Sequence, residues 1–158
     1  ATHAPQALAM LAGADARERE VLGAFRTTLN SCVLHTDERL LPRRPAARGS
    51  WNYLMDEDGV ASARPTVTYY LNRLQAIEGP VHYCVTLNRD DRIREDRVIH
   101  RVEYAHPLYT FESLAAQRRL PSLGGPRLQF AGAYHGFGFH EDGLAAGLRA
   151  AAFLGARA

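Results

Sequence analysis

TVTYYLNRLQAIEGPVHYCVTLN, residues Thr66–Asn88, contains two runs, TVTYY and HYCVTLN, divided by a span carrying Gly79 and Pro80. β-Branched and aromatic side chains suit a pleated, half-buried surface, and Gly-Pro interrupts the chain between two such runs. The same texture recurs in TLNSCVLHTD (28–37), SWNYLM (50–55) and RVIHRVEY (97–104). Five strands are therefore expected from Thr27 onward, and their short spacing favours an antiparallel sheet.

Helices are expected on both sides of that sheet. Pro5 suits the first turn of a helix with Ala7, Leu8, Leu11 and Ala12 on its apolar face, ended by Gly13. Asp15 reads as the N-cap of a second helix running to Phe25. TFESLAAQRRL (110–120) reads as a third, with Thr110 facing Ser113 across its first turn, and a last helix is expected over Glu141–Leu154 after a short strand RLQFAG (127–132). LLPRRPAARG (40–49) is too rich in proline and arginine for regular structure, MDEDG (55–59) reads as a turn, and LNRDDRIRED (87–96) as a solvated connector. The order predicts an α+β fold.

A chain of 158 residues with 46% hydrophobic content is long enough to bury a core. Its net charge of +2, from 19 basic and 17 acidic residues, argues against nucleic acid as a partner. All the basic residues are arginine, which excludes Schiff-base lysine chemistry within the chain. Cys32 and Cys84 have no metal-ligand spacing and read as small strand residues of a reducing compartment. With no run of 18 apolar residues and no signal-peptide order at the start, no transmembrane segment and a cytoplasmic location are expected.

FAGAYHGFGFHEDG (130–143) places Gly132, Gly136 and Gly138 within seven positions just before the last helix. A glycine loop leading into a helix N-terminus gathers free backbone N–H groups at the positive end of the helix dipole, an arrangement that binds anions. The spacing is not the dinucleotide fingerprint, because Phe139, His140 and Glu141 follow Gly138. A ligand loop and an ordinary turn both remain open. His135, His140, Glu141 and Asp142 are a weaker metal candidate, since the histidines are five positions apart and both acids follow the second one. The competing structural reading makes His140 a cap residue, with Glu141 and Asp142 as first-turn acids that complement the dipole.

Elsewhere, period-two alternation puts His35 and Asp37 on one side of a strand, as a proton-transfer pair or as a strand-end turn. Trp51 and Tyr53 in SWNY read as core or cavity wall. His82, His100 and His106 share no spacing, and Gly-x-Ser-x-Gly is absent, which removes the hydrolase elbow.

Taken in order, ATHAPQALAML, VLHTDERLLPRR, SWNY, VTYYLNRLQ, VTLN and FAGAYHGFGFHEDGLAAGLRAA resemble the C-terminal part of flavin-containing amine oxidase superfamily proteins, the bacterial predicted NAD/FAD-binding group. The resemblance covers essentially the whole chain. It implies an FAD-dependent oxidoreductase that moves hydride from a C–N or C–C bond to flavin. Residues 1–26 would be a helical segment after a family strand, 27–120 part of a substrate domain with an antiparallel sheet, and 121–158 the closing segment of a Rossmann-type FAD domain. The N-terminal Rossmann half would be the missing partner.

Carried over by position, Gly132, Ala133, Tyr134, Asp142, Gly143 and Leu144 would bind FAD, while Trp51, Asn52, Tyr53, His135 and Phe137 would bind a small-molecule substrate, an amine or a fatty-acyl compound. The catalytic residue is unknown, with His35 the candidate acid–base group. Ala133 stands where the superfamily often has an acid, His135 and Phe137 where relatives carry Trp and Tyr, and Arg48 where they carry Trp. The alternatives are a cofactor-free binding module and a truncated chain with no function of its own.

Overall fold

The computed structural model describes residues 2–55 and 66–155. These form two units, one from residues 1–28 with 107–158 and one from residues 29–106. Residues Asp56–Gly59 of the expected MDEDG turn lie outside the described residues.

The sheet contains β1 (Arg26–His35), β2 (Trp51–Leu54), β3 (Thr66–Tyr70), β4 (Cys84–Leu87) and β5 (Val98–Leu108), in the order β2-β3-β4-β1-β5. The pairs β2/β3, β3/β4 and β4/β1 are antiparallel. Register places Asn52 opposite Thr68, Thr68 opposite Thr86, and Thr86 opposite Val33, so these residues form one row on one face. All four are buried. The intervening residues Trp51, Tyr53, Val67, Tyr69, Val85 and Leu87 share the other face and are exposed or half-buried. Val33, Leu40 and Ile93 make a small apolar cluster in this sheet unit, flanked by Leu54 and Val98.

The helical unit contains α1 (Ala4–Met10), α2 (Ala16–Gly23), α4 (Phe111–Gln117) and α5 (His140–Phe153), while the single turn α3 (Leu71–Leu74) belongs to the sheet unit. Pro5 occupies the first turn of α1. The Asp15 carboxylate accepts from the Glu18 N–H while Glu18 accepts from the Asp15 N–H, a reciprocal cap that explains why α2 begins there. Thr110 and Ser113 make the same exchange at α4, the serine hydroxyl replacing the usual glutamate. The apolar faces meet in a core of Ala4, Ala7, Val21, Leu22, Ala116, Leu120, Leu123, Phe130 and Tyr134.

One expected element is absent. RLQFAG is not a strand: Gly125 and Leu128 close a tight bridged turn, with Gly124 at φ +80°. A Cβ on Gly124 would strike the Leu128 carbonyl, so the turn requires glycine. The chain then runs irregularly through the buried Phe130 to a 3-10 turn at Ala133–His135. The last unit is thus turn, loop and helix rather than strand, loop and helix.

Candidate functional site

The loop 132–139 is built around its own side chains and the start of α5. The Asp142 carboxylate accepts from the backbone N–H groups of Phe137 (3.0 Å) and Phe139 (2.9 Å), which folds the loop back onto the first helical turn. Gly136 lies so close to Asp142 that a Cβ there would overlap the carboxylate. Gly138 has φ +91° and faces the Tyr109 hydroxyl. Burial and the Asp142 charge push the Tyr109 phenol above its ordinary pKa. At Gly132 a Cβ would meet the Thr2 carbonyl and the Tyr134 ring, because Thr2 pairs through its N–H with the Ala131 carbonyl (3.3 Å). The three loop glycines therefore answer to contacts within the chain.

An open cleft of about 340 Å³ remains beside this loop, lined by Thr2, His3 and Gln6 near the start of α1, by Gly132, Ala133 and Gly138, and by His140 and Gly143 in the first turn of α5. Phe139, at the N-cap of α5, offers no side-chain acceptor, so the first-turn amides lack a capping side chain there. Gly143 is open toward Ala133, whose nitrogen would sit 3.7 Å from an added Cβ. The cleft can present backbone donors and a helix-dipole end to an acceptor atom. Glu141 and Asp142 in the same turn oppose a highly charged anion and favour a neutral or weakly charged acceptor.

The structure brings together Gly132, Ala133 and Gly143 among the residues expected to hold a cofactor. Asp142 stands behind them as the organiser of the loop. The Tyr134 side chain points into the helical core, edge-on to Phe25 at 5.4 Å, with its hydroxyl buried and its pKa pushed up to about 12 by burial. Leu144 and Phe137 are exposed. His135 lines a different cavity, of about 380 Å³, with Gln117, Phe130, Arg149 and Phe153. Its Nε2 is buried without a hydrogen-bond partner, and burial together with the Arg149 charge lowers its pKa. Among the described residues, no group of three or more His, Cys, Asp and Glu side chains is placed to hold a metal ion.

The remaining candidates lie in the sheet unit. Trp51 and Tyr53 project from the edge strand β2 and are exposed, with Trp51 edge-on to Tyr69 at 6.2 Å. Asn52, between them, points to the other face and bonds to the Gly49 backbone and the Thr68 carbonyl. His35 is fully buried. Its Nδ1 accepts from the Asp37 backbone N–H (3.1 Å) and its Nε2 lies 2.8 Å from the Thr86 hydroxyl. An Nδ1 that accepts leaves the proton on Nε2, so a neutral His35 donates to Thr86. Thr86 in turn meets Thr68 Oγ1 at 2.8 Å.

The Asp37 carboxylate is committed elsewhere, to the Arg39 guanidinium (2.6–3.1 Å) and the Arg94 N–H (3.0 Å), which hold its pKa well below the usual range. His35 and Asp37 are adjacent and both buried, but the link between them runs through backbone. This polar chain could not be read from the sequence, because only strand register sets Thr68 opposite Thr86 and brings His35, opposite Cys84, within reach of Thr86.

No family model matches the chain, and no curated protein matches it. Among the described residues no helix is long and apolar enough to cross a membrane.

Proposed function

We propose that the chain is the C-terminal portion of an FAD-dependent oxidoreductase of the amine oxidase type, and that the cleft at the start of α5 receives the flavin. The observation that carries this reading is the convergence of Gly132, Ala133 and Gly143 with the first turn of α5 on one cleft. Its volume lies at the small end for a ligand site and suits one end of a dinucleotide. The fit favours the flavin's pyrimidine edge over its pyrophosphate, because Glu141 and Asp142 disfavour phosphate while the helix dipole welcomes a carbonyl acceptor. Bound flavin would accept hydride from a C–N or C–C bond of the substrate. Ala133 and Gly143 would then supply close backbone approach, and the dipole of α5 would stabilise negative charge developing at the ring edge.

The reading places the primary phosphate site, a Rossmann-type half, in a neighbouring part of a longer protein. The substrate, amine or fatty-acyl, belongs to that whole enzyme. The test is purification of the product of the extended gene, with the upstream reading frame included. It should emerge yellow and release FAD on denaturation, and Gly143→Val should lower flavin occupancy at least tenfold. The present chain alone, mixed with FAD and desalted, should retain none. A colourless extended protein would remove the flavin reading.

A second reading is supported by the three loop glycines, whose close contacts all lie within the chain: a cofactor-free binding module. Flavin released from the extended protein would exclude it.

A further inference from the structure

The sheet unit also contains a group of titratable side chains unconnected with the cleft of the helical unit. Tyr70 ends β3, and its hydroxyl lies 2.6 Å from His82 Nδ1. On the far side of the imidazole, His82 Nε2 is 3.6 Å from a Glu38 carboxylate oxygen. Arg48 Nη1 holds the same oxygen at 2.9 Å, while its Nε donates to the Pro42 carbonyl. The line Tyr70–His82–Glu38–Arg48 thus joins four segments that are distant in sequence. Backbone bonds hold its Tyr70–His82 end: the Tyr70 N–H donates to the Ser50 carbonyl, and the Leu71 N–H to the Tyr83 carbonyl.

The Glu38 carboxylate, 3.6 Å from Nε2 and already paired with Arg48, favours one direction for the Tyr70–His82 hydrogen bond. A lone pair on Nε2 facing Glu38 would be repelled, whereas Nε2–H facing it is attracted. Nδ1 is then the acceptor and the Tyr70 phenol the donor. A phenol against an imidazole nitrogen, with a carboxylate on the far side of the ring, is the arrangement in which a base takes the proton of an attacking oxygen and a third group steadies the resulting imidazolium. Tyr70 and His82 are both half-buried. Cys84, the cross-strand neighbour of Tyr70, is not a rival nucleophile, because it is completely buried and its thiol is pushed up to about 12.

We propose that Tyr70 is a base-activated nucleophile, with His82 as general base and Glu38 as the positioning residue, acting on acyl- or sulfonyl-type electrophiles. In the step, the Tyr70 oxygen forms a bond to the electrophilic carbon or sulfur, the leaving group departs with its bonding electrons, and the phenol proton passes to His82 Nδ1. No oxidant or metal is required. The assignment stands independently of the flavin reading.

The test treats the full chain with benzenesulfonyl fluoride, for which fluoride is the leaving group, and follows each tyrosine by peptide mass spectrometry. Tyr53, more exposed at 54% and in the same unit, is the internal standard. Tyr70 should label about 100-fold faster than Tyr53, within the range that a positioned base supplies. His82→Gln should remove most of that advantage, and Glu38→Gln should reduce it about tenfold, while Tyr53 labelling and the circular dichroism spectrum stay unchanged. Labelling of Tyr70 no faster than Tyr53 in the wild-type chain overturns the proposal, as does an unaltered Tyr70 rate in His82→Gln. The wild-type comparison decides the matter even where a variant fails to fold.

Discussion

In the helical unit, apolar side chains from α1, α2, α4 and the segments before α5 fill the centre, and the buried Tyr134 hydroxyl is left unpartnered there. In the sheet unit, the buried face opposite the aromatic one carries the polar side chains of Asn52, Thr68, Thr86 and His35, beside a small apolar cluster of Val33, Leu40 and Ile93. The first kind of core tolerates a lost contact in proportion to the volume removed. The second rests on hydrogen bonds among buried side chains, so removing one partner leaves the other's buried donor or acceptor without its solvation.

The largest effect should come from Leu22→Ala. Leu22 is fully buried in the helical core, and such truncations cost about 2–5 kcal/mol. Denaturant unfolding followed by far-ultraviolet circular dichroism, which is dominated by helix, should show the loss. Fluorescence of Trp51, the single tryptophan and part of the sheet unit, should report a smaller change. Equal shifts in both signals would mean that the two units unfold as one.

Thr86→Val makes the opposite test, since it preserves shape and removes only a hydroxyl. It leaves the His35 Nε2–H and Thr68 Oγ1 without their shared partner, at an expected cost of about 1–3 kcal/mol. Thr86→Ser should recover most of it. If valine is as stable as threonine, the polar row contributes nothing and the contrast between the two cores fails.

The contrast also explains what could be read in advance. The five strands were evident because alternation and β-branching are local signals, and the caps at Asp15 and Thr110 because each needs only residues three apart. RLQFAG misled because Leu128 and Phe130 look strand-like, while Gly124 and Gly125 dictate a tight turn that aims Phe130 into the helical core. Tyr134 sits in a glycine-rich stretch that reads as a ligand loop, yet its ring serves packing. The His35–Thr86–Thr68 row and the Tyr70–His82–Glu38 line depend on strand register and on loops returning from far along the chain. No spacing in the sequence encodes either one.

Acid should weaken the sheet unit through His35. Burial lowers the pKa of His35, although the Asp37 charge opposes the shift. The unfolded imidazole, titrating near its ordinary value of about 6.5, therefore binds a proton before the folded one does. Its contribution is complete above that value and declines as the pH falls through it, because a protonated Nδ1 can no longer accept from the Asp37 N–H. Asp37 adds a second loss at lower pH: its folded pKa is depressed, so its stabilisation is present above about 3.9 and fades below. Trp51-detected midpoints measured between pH 8 and pH 5 should fall for the wild type and stay flatter for His35→Gln. A wild-type profile as flat as the variant's would show that His35 protonates without disturbing the row.

The smallest effect should come from the best-looking surface pair. Glu20 of α2 accepts from both terminal nitrogens of the Arg119 guanidinium at 2.5 and 2.9 Å, a bidentate geometry as good as that between Arg39 and Asp37. The difference is exposure: Glu20 is 63% exposed, and Asp37 only 4%. Water and salt screen the exposed pair, and ordering two long side chains opposes what attraction remains. Glu20→Gln should therefore leave the dichroism-detected midpoint unchanged within error at 0.15 M salt, whereas Asp37→Asn should lower the Trp51-detected midpoint, because the amide gives up part of what Arg39 and the Arg94 N–H bind. If the two substitutions shift their midpoints equally, burial is not what gives the sheet unit's polar contacts their weight.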